Sequence, residues 1–193
     1  MEIYKVKVYD MDEAVIASGY PMLPKYEERY EPQPKDWTRA FKLAAAPTVS
    51  GHCNFVKGIL VAMDIVASTK WWIQAGRYSH FNIVSSMSTM HKSLAMSLKD
   101  VCVDVPKELI DFLEKQQQKC IDGELTLTEF VSMLPSGLRY GARVSTNYLQ
   151  LRIMYNQRKD HRLVEWKQFC EFCKTLPKAE MFITCDDKVK EVK

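Results

Sequence analysis

Arg143 and Asn147 stand four positions apart, and Arg152 follows five positions later. A guanidinium presents a rigid fork of donors that suits a phosphate, and a neighbouring amide adds a donor and an acceptor. If this segment is helical, Arg143 and Asn147 share one side of it. Upstream, Arg77, Ser79, His80, Asn82, Ser85 and Ser86 fall in one short segment and offer a second set of donors for an anion. On spacing alone, a solvated helix face and a polar loop are the simpler readings of these two groups. Cys170 and Cys173 form the only CxxC of the chain. Both fall inside an expected helix, on its apolar side, whereas a redox pair needs a helix N-terminus to lower its thiol pKa. They read as core residues. His52, His80, His91 and His161 include no i, i+4 pair, and the six cysteines lack zinc-site spacing, so no metal site is expected. Walker, GxGxxG and GxSxG motifs are all missing from the sequence, which argues against a kinase, a Rossmann dehydrogenase and a serine hydrolase.

These groups need a scaffold, and the hydrophobic pattern predicts one of mixed type. Glu2–Tyr9 alternates and reads as an opening strand. Asp10 followed by Glu13 has the spacing of a capping box for a helix over 11–18. Prolines 21, 24, 32 and 34 mark a loop, and Asp36–Ala46 reads as a helix. Gly58–Ala67, rich in Ile, Leu and Val, reads as a buried strand, followed by a short helix over Thr69–Ala75. From Gly76 to His91 polar residues dominate without periodicity, so this stretch is expected to be a loop lining something. Helices are expected from Pro106 to about Cys120, over Thr126–Leu134, over Val144–Asn156 and over Arg162–Leu176. The tail from Pro177 is expected to fray. The whole of residues 1–193 reads as a single domain.

The chain has 193 residues, 47% of them hydrophobic and 26% charged, which fits a globular domain rather than a disordered or coiled-coil chain. A formal net charge of +3 is too mild for bulk nucleic-acid binding but compatible with a small anionic ligand. The longest apolar run, Ile59–Ser68, is interrupted by Asp64 and too short to span a bilayer, so no membrane association is expected. Reduced cysteines and an N-terminus without an apolar leader point to the cytoplasm.

Taken in order, these segments resemble the flavin-dependent thymidylate synthase family. Val6–Asp10 through Ala14–Tyr20 is similar to the family's first strand and helix, and His52 falls at its flavin-contacting histidine. The family signature is an Arg-His-Arg triplet followed by a serine, an asparagine and a second serine. Arg77 takes the third triplet position, Asn82 the asparagine and Ser85 the second serine. Ala142-Arg143, Asn147-Tyr148-Leu149 and Leu151-Arg152 keep the spacing of the family's long helix, and His161 with Trp166 is similar to the His and Trp that follow. The resemblance implies flavin contacts for His52, Asn82, Arg143, Asn147 and His161, and nucleotide contacts for Arg77, Ser85 and Arg152.

The chain also departs from the family. Ala75 and Gly76 replace the first two triplet residues, and His80 replaces the first serine. Ile83 and Met87 stand where a glutamate and an arginine grip the nucleotide, and Val131 stands at another nucleotide-binding arginine. An insertion is needed between Arg152 and His161, and Ser85-Ser86-Met87-Ser88-Thr89-Met90-His91 is this chain's own. The match is to a divergent branch, of the sort that phage genomes carry. It implies an α+β fold with a mixed sheet flanked by helices, and a homotetramer whose sites lie between subunits. It also implies FAD as cofactor, with NADPH and methylene-tetrahydrofolate as co-substrates. The implied reaction transfers a one-carbon unit to carbon 5 of a pyrimidine nucleotide monophosphate, dUMP by default, without a protein nucleophile. The degraded signature leaves a second reading: a non-catalytic nucleotide-binding or interaction protein that keeps the fold.

Overall fold

Alternation builds the centre of the fold. In the strand β2, residues 60–68, Val61, Met63, Ile65 and Ala67 are buried, while Leu60, Ala62, Asp64 and Val66 point the other way and none of them is buried. A computed structural model describes residues 1–185, in which β1 (Glu2–Tyr9), β2 (Leu60–Ser68), β3 (Asn82–Ser86) and β4 (Arg139–Asn147) form one sheet in the order β1-β2-β4-β3. The α+β class stands. Each strand pair is antiparallel, where a mixed sheet was expected.

The helices are α1 (Met11–Ala17), α2 (Pro34–Ala44), α3 (Thr69–Ala75), α4 (Thr89–Lys92), α5 (Leu98–Val101), α6 (Lys107–Ile121), α7 (Leu127–Met133), α8 (Tyr148–Arg158), α9 (Val164–Lys174) and α10 (Ala179–Phe182). The main core joins the buried row of the sheet to Trp71, Leu151, Trp166 and Phe169 from α3, α8 and α9. The rings of Trp71 and Trp166 lie 5.0 Å apart, so α3 and α9 meet through aromatic contact. A smaller core of Leu98, Leu113, Phe130 and Leu138 sits under α5, α6 and α7. Cys170 and Cys173 are buried in α9, and burial pushes the Cys170 thiol up to about 11, as core residues require.

Four further expectations are corrected. The stretch read as an aperiodic loop contains β3, an exposed edge strand whose pairing with β4 is decided by tertiary contact rather than by its own pattern. The helix expected from Val144 begins at Tyr148, because Arg139–Asn147 is a strand with alternating burial. The expected capping box of α1 does not form: Asp10 has a left-handed backbone, φ 59°, and its side chain makes no capping bond. The tail from Pro177 contains α10, held by the buried Phe182, whose ring packs 5.6 Å from that of Phe41; residues 186–193 lie outside the described residues.

β1 carries a bulge. Register slips between Tyr4 and Lys7, and Lys5 sits in the left-handed region with φ 49°. A non-glycine residue there costs roughly 1–2 kcal/mol.

Candidate functional site

One face of the sheet meets the core, and the other remains open to solvent. Register fixes what stands on the open face. Asp64 pairs with Arg143, Ala62 with Ser145 and Leu60 with Asn147 across β2 and β4. Across β3 and β4, Asn82 pairs with Ser145 and Ser85 with Arg143. Directly paired residues share a face, so Asn82, Ser85, Arg143 and Asn147 are brought together. Arg143 and Asn147 do point the same way, but through the two-residue period of a strand.

Three grooves cross this face. The first, about 310 Å³, is lined among others by Tyr9, His80, Asn82, Ser145, Thr146 and Asn147. The second, about 370 Å³, is lined by Lys5, Val6, Lys7, Asp64 and Arg143. The third, about 310 Å³, shares Asp64 and Arg143 with the second and runs along Ser85, Ser86 and Met87.

Asn147 is the N-cap of α8: its side chain accepts from the Gln150 backbone N–H at 2.9 Å. The Gln150 side chain in turn accepts from the His80 backbone N–H at 3.2 Å, tying the approach to β3 to α8. Thr146 Oγ1 is buried without a hydrogen-bond partner among the described residues, and Thr146 lines the first groove. By register Thr146 pairs with the buried Val61, so its side chain belongs to the core-facing row of β4. Asp64 accepts from Arg143 at 3.1 Å and lies 3.3 Å from Lys5 Nζ; Arg143, then Lys5, hold its carboxyl below the usual range. Arg143 also donates to the Lys5 carbonyl at 3.1 Å.

The other expected residues stand off these grooves. Arg152 is fully buried and donates to the carbonyls of Ala44, at 2.6 Å, and Ala46, at 3.5 Å. Its guanidinium thus grips the C-terminal end of α2, where carbonyls attract a cation. Arg77 is exposed just after α3. His52 lines a separate cavity of about 720 Å³ with Met22, Leu43 and Phe55. His161 precedes α9; its Nδ1 accepts from the Leu163 N–H at 3.1 Å, and burial, with Arg158 and Arg162, lowers its pKa. Met87 and Val131, at positions where the family has arginines, line one pocket of about 470 Å³ with Ser86, Ser88 and Thr89.

Lys5, Lys7, Asp64 and Tyr9 are on this face and were missed. The alternation of β2 contained the signal for Asp64, since every second residue of a half-covered strand must face outward. Lys5 depends on the bulge, which no pattern announced.

The backbone path is shared with known structures. A flavin-dependent thymidylate synthase from Helicobacter pylori, solved with FAD and dUMP, superposes with a TM-score of 0.78 over 96% of this chain and 99% of its own, at 15% identity. The chain has the fold of the flavin-dependent thymidylate synthases. A second structure of the Helicobacter pylori enzyme, ThyX, also with FAD and dUMP, gives a TM-score of 0.77 at 14% identity with the same coverage. No protein-family model matches the sequence, and neither does any curated protein. At such identity the thymidylate synthase likeness is one of fold, and function must be argued from the open face.

Proposed function

We propose that this chain is a flavin-dependent enzyme that transfers a one-carbon unit from methylene-tetrahydrofolate to carbon 5 of a pyrimidine nucleotide, dUMP by default. FAD is the cofactor and NADPH the reductant in this reading. The observation that carries it is the convergence of Asn82, Ser85, Arg143 and Asn147 on one open sheet face of a thymidylate synthase fold.

The donor set suits a flavin. Its ring carries alternating carbonyl and N–H groups, which the amides of Asn82 and Asn147 can match with donor and acceptor alike. When bound, reduced flavin supplies the hydride. The chain's own residues bind and orient. Asn82 and Asn147 fix the ring, and Arg143, held in place by Asp64, favours negative charge on it. Ser85 and the exposed Arg77 are assigned to the nucleotide. His52 and His161 stand away from the grooves, so their proposed flavin contacts fall to a neighbouring subunit of a homotetramer. Arg152 receives no ligand role. The reading takes residues 1–193 as one domain of a cytoplasmic protein.

The test measures flavin absorbance of the purified protein. It then follows tritium release from carbon 5 of dUMP and deoxycytidylate, with FAD, NADPH and the folate supplied. Release that disappears in Arg143→Ala supports the enzyme. A folded, flavin-loaded protein that releases none from either substrate overturns the reaction and leaves the non-catalytic binding protein.

A further inference from the structure

The bulge in β1 gathers cations where a regular strand would not. Tyr4 faces Asp64 and Lys7 faces Ala62, so both stand on the open face by register. The extra residue and the left-handed backbone at Lys5 swing its ammonium onto the same face, 3.3 Å from Asp64. Arg143 reaches the same carboxylate from the other side and clamps the bulge through the Lys5 carbonyl. Lys7 makes no ion pair or hydrogen bond with its side chain among the described residues, and it lines the same groove of about 370 Å³. Two cations thus hold one carboxylate, and a third, Lys7, lines the groove beside them. Glu2, the carboxylate one step along β1, is already engaged by Arg139 and Tyr4.

Stability does not account for this arrangement, since exposed ion pairs contribute little and the Lys5 side chain is 78% exposed. Edge protection accounts for a bulge and a lysine on an outer strand. It does not account for both lysines turning onto the sheet face beside Arg143 rather than outward from the edge. Strained non-glycine backbone held by its surroundings is a mark of a ligand site.

We propose that Lys5 and Lys7, beside the Arg143–Asp64 pair, bind a phosphate ester on the open face. The inference rests on the proposed function for the identity of the ester, the phosphate of either the nucleotide or FAD, but not for the site itself. It supplies an anion grip for a chain in which Arg152 is buried and Met87 and Val131 carry no charge.

Two pairs of ligands distinguish the sources: dUMP against deoxyuridine, and FAD against riboflavin, each measured by calorimetry on the full chain. Loss of one charge-assisted contact corresponds to roughly a tenfold change in affinity. Lys7→Gln, and more so Lys5→Gln with Lys7→Gln, should weaken the phosphorylated member of one pair by that factor or more. The member without phosphate should be unaffected. Weakened dUMP assigns the site to the substrate, and weakened FAD assigns it to the cofactor. Pyrophosphate alone, followed through the backbone amide shifts of Lys5, Lys7 and Arg143, is independent of the enzyme reading. If none of the four ligands binds the wild-type protein, the proposed function fails, and the pyrophosphate shifts decide the site by themselves. Unchanged affinities in both pairs, or pyrophosphate that leaves those amides unmoved, overturns the proposal.

Discussion

Asp36 and Arg152 are charged side chains with no exposed surface, and a buried charge persists only where partners meet it. Asp36 accepts from Arg29 at 3.0 Å, from Arg39 at 2.7 Å and from the Gln33 N–H at 2.9 Å, where it also completes the capping box of α2. Burial pushes its carboxyl up, but these three donors outweigh burial and hold it well below the usual carboxylate range. A depressed folded-state pKa means that the stabilisation is complete above the unfolded value, about 3.9, and is lost as pH falls toward the folded one. Asp36→Asn should therefore cost about 2 kcal/mol at pH 7, from charge-assisted bonds. Denaturant melts at stepped pH should show the gap to wild type constant above about pH 5 and closing below it; a gap that widens on acidification would refute the assignment. Arg152→Met tests the other buried charge. Removing donors from the Ala44 and Ala46 carbonyls should cost about 2 kcal/mol in thermal or denaturant unfolding. Flavin and nucleotide affinities of the folded fraction should stay within twofold. A stable variant that has lost nucleotide affinity would return Arg152 to the substrate role implied by the resemblance.

Asn147 connects the β4–α8 junction to the site, because one side chain both ends the strand and caps the helix. Its Oδ1 serves the Gln150 N–H, which leaves its amide N–H₂ for the first groove. Asn147→Asp keeps the acceptor and removes the donor. Its stability should match wild type within about 0.5 kcal/mol, whereas Asn147→Ala should lose about 1 kcal/mol with the cap. Both variants should bind FAD roughly tenfold more weakly. An aspartate variant with full FAD affinity would show that Asn147 only caps. The junction also marks how far the sequence can be read. Strongly patterned elements were legible: β1, β2, α3, α6, α7 and α9 fall within a few residues of expectation, since each has its own hydrophobic pattern, and α3 and α7 their own N-caps as well. The boundary at Asn147 was not, because Tyr148, Leu151 and Tyr155 keep helical spacing while Val144 and Thr146 belong to a strand that only its pairing reveals. β3 was illegible for the same reason: every one of its residues is exposed, so no buried period exists to find. In the candidate site, Arg143, Asn147, Asn82 and Ser85 were found through their resemblance to a known motif. Lys5 and Lys7 were not, since a bulge depends on the partner strand.

At the scale of the whole molecule, the sheet is covered on one side only. Its open face and outer strand β3 expose Tyr9 at 45%, Ile83 at 45% and Val84 at 63%, with Met87 and Met90 beside them. Exposed edge strands with apolar side chains invite pairing or burial by another chain. The distribution of the expected ligand residues adds a second reason. Asn82, Ser85, Arg143 and Asn147 share the face, while His52 and His161 of the same chain do not line its grooves. A complete set on this reading needs a second copy, as in the homotetramer that the resemblance implies. Light scattering of the purified protein should give a mass near four chains of 22.4 kDa each. Val84→Asp places a charge on the exposed edge without disturbing any buried residue, so the fold should survive. Burying that unpaired charge at an interface should cost several kcal/mol, enough to shift the protein toward smaller species at micromolar concentration. Flavin content should fall in parallel with the assembled fraction, because the His52 and His161 contacts would be lost with the neighbour. A wild-type protein that is monomeric at every concentration yet holds flavin tightly would show that one chain's face suffices, and the shared-site arrangement would have to be abandoned.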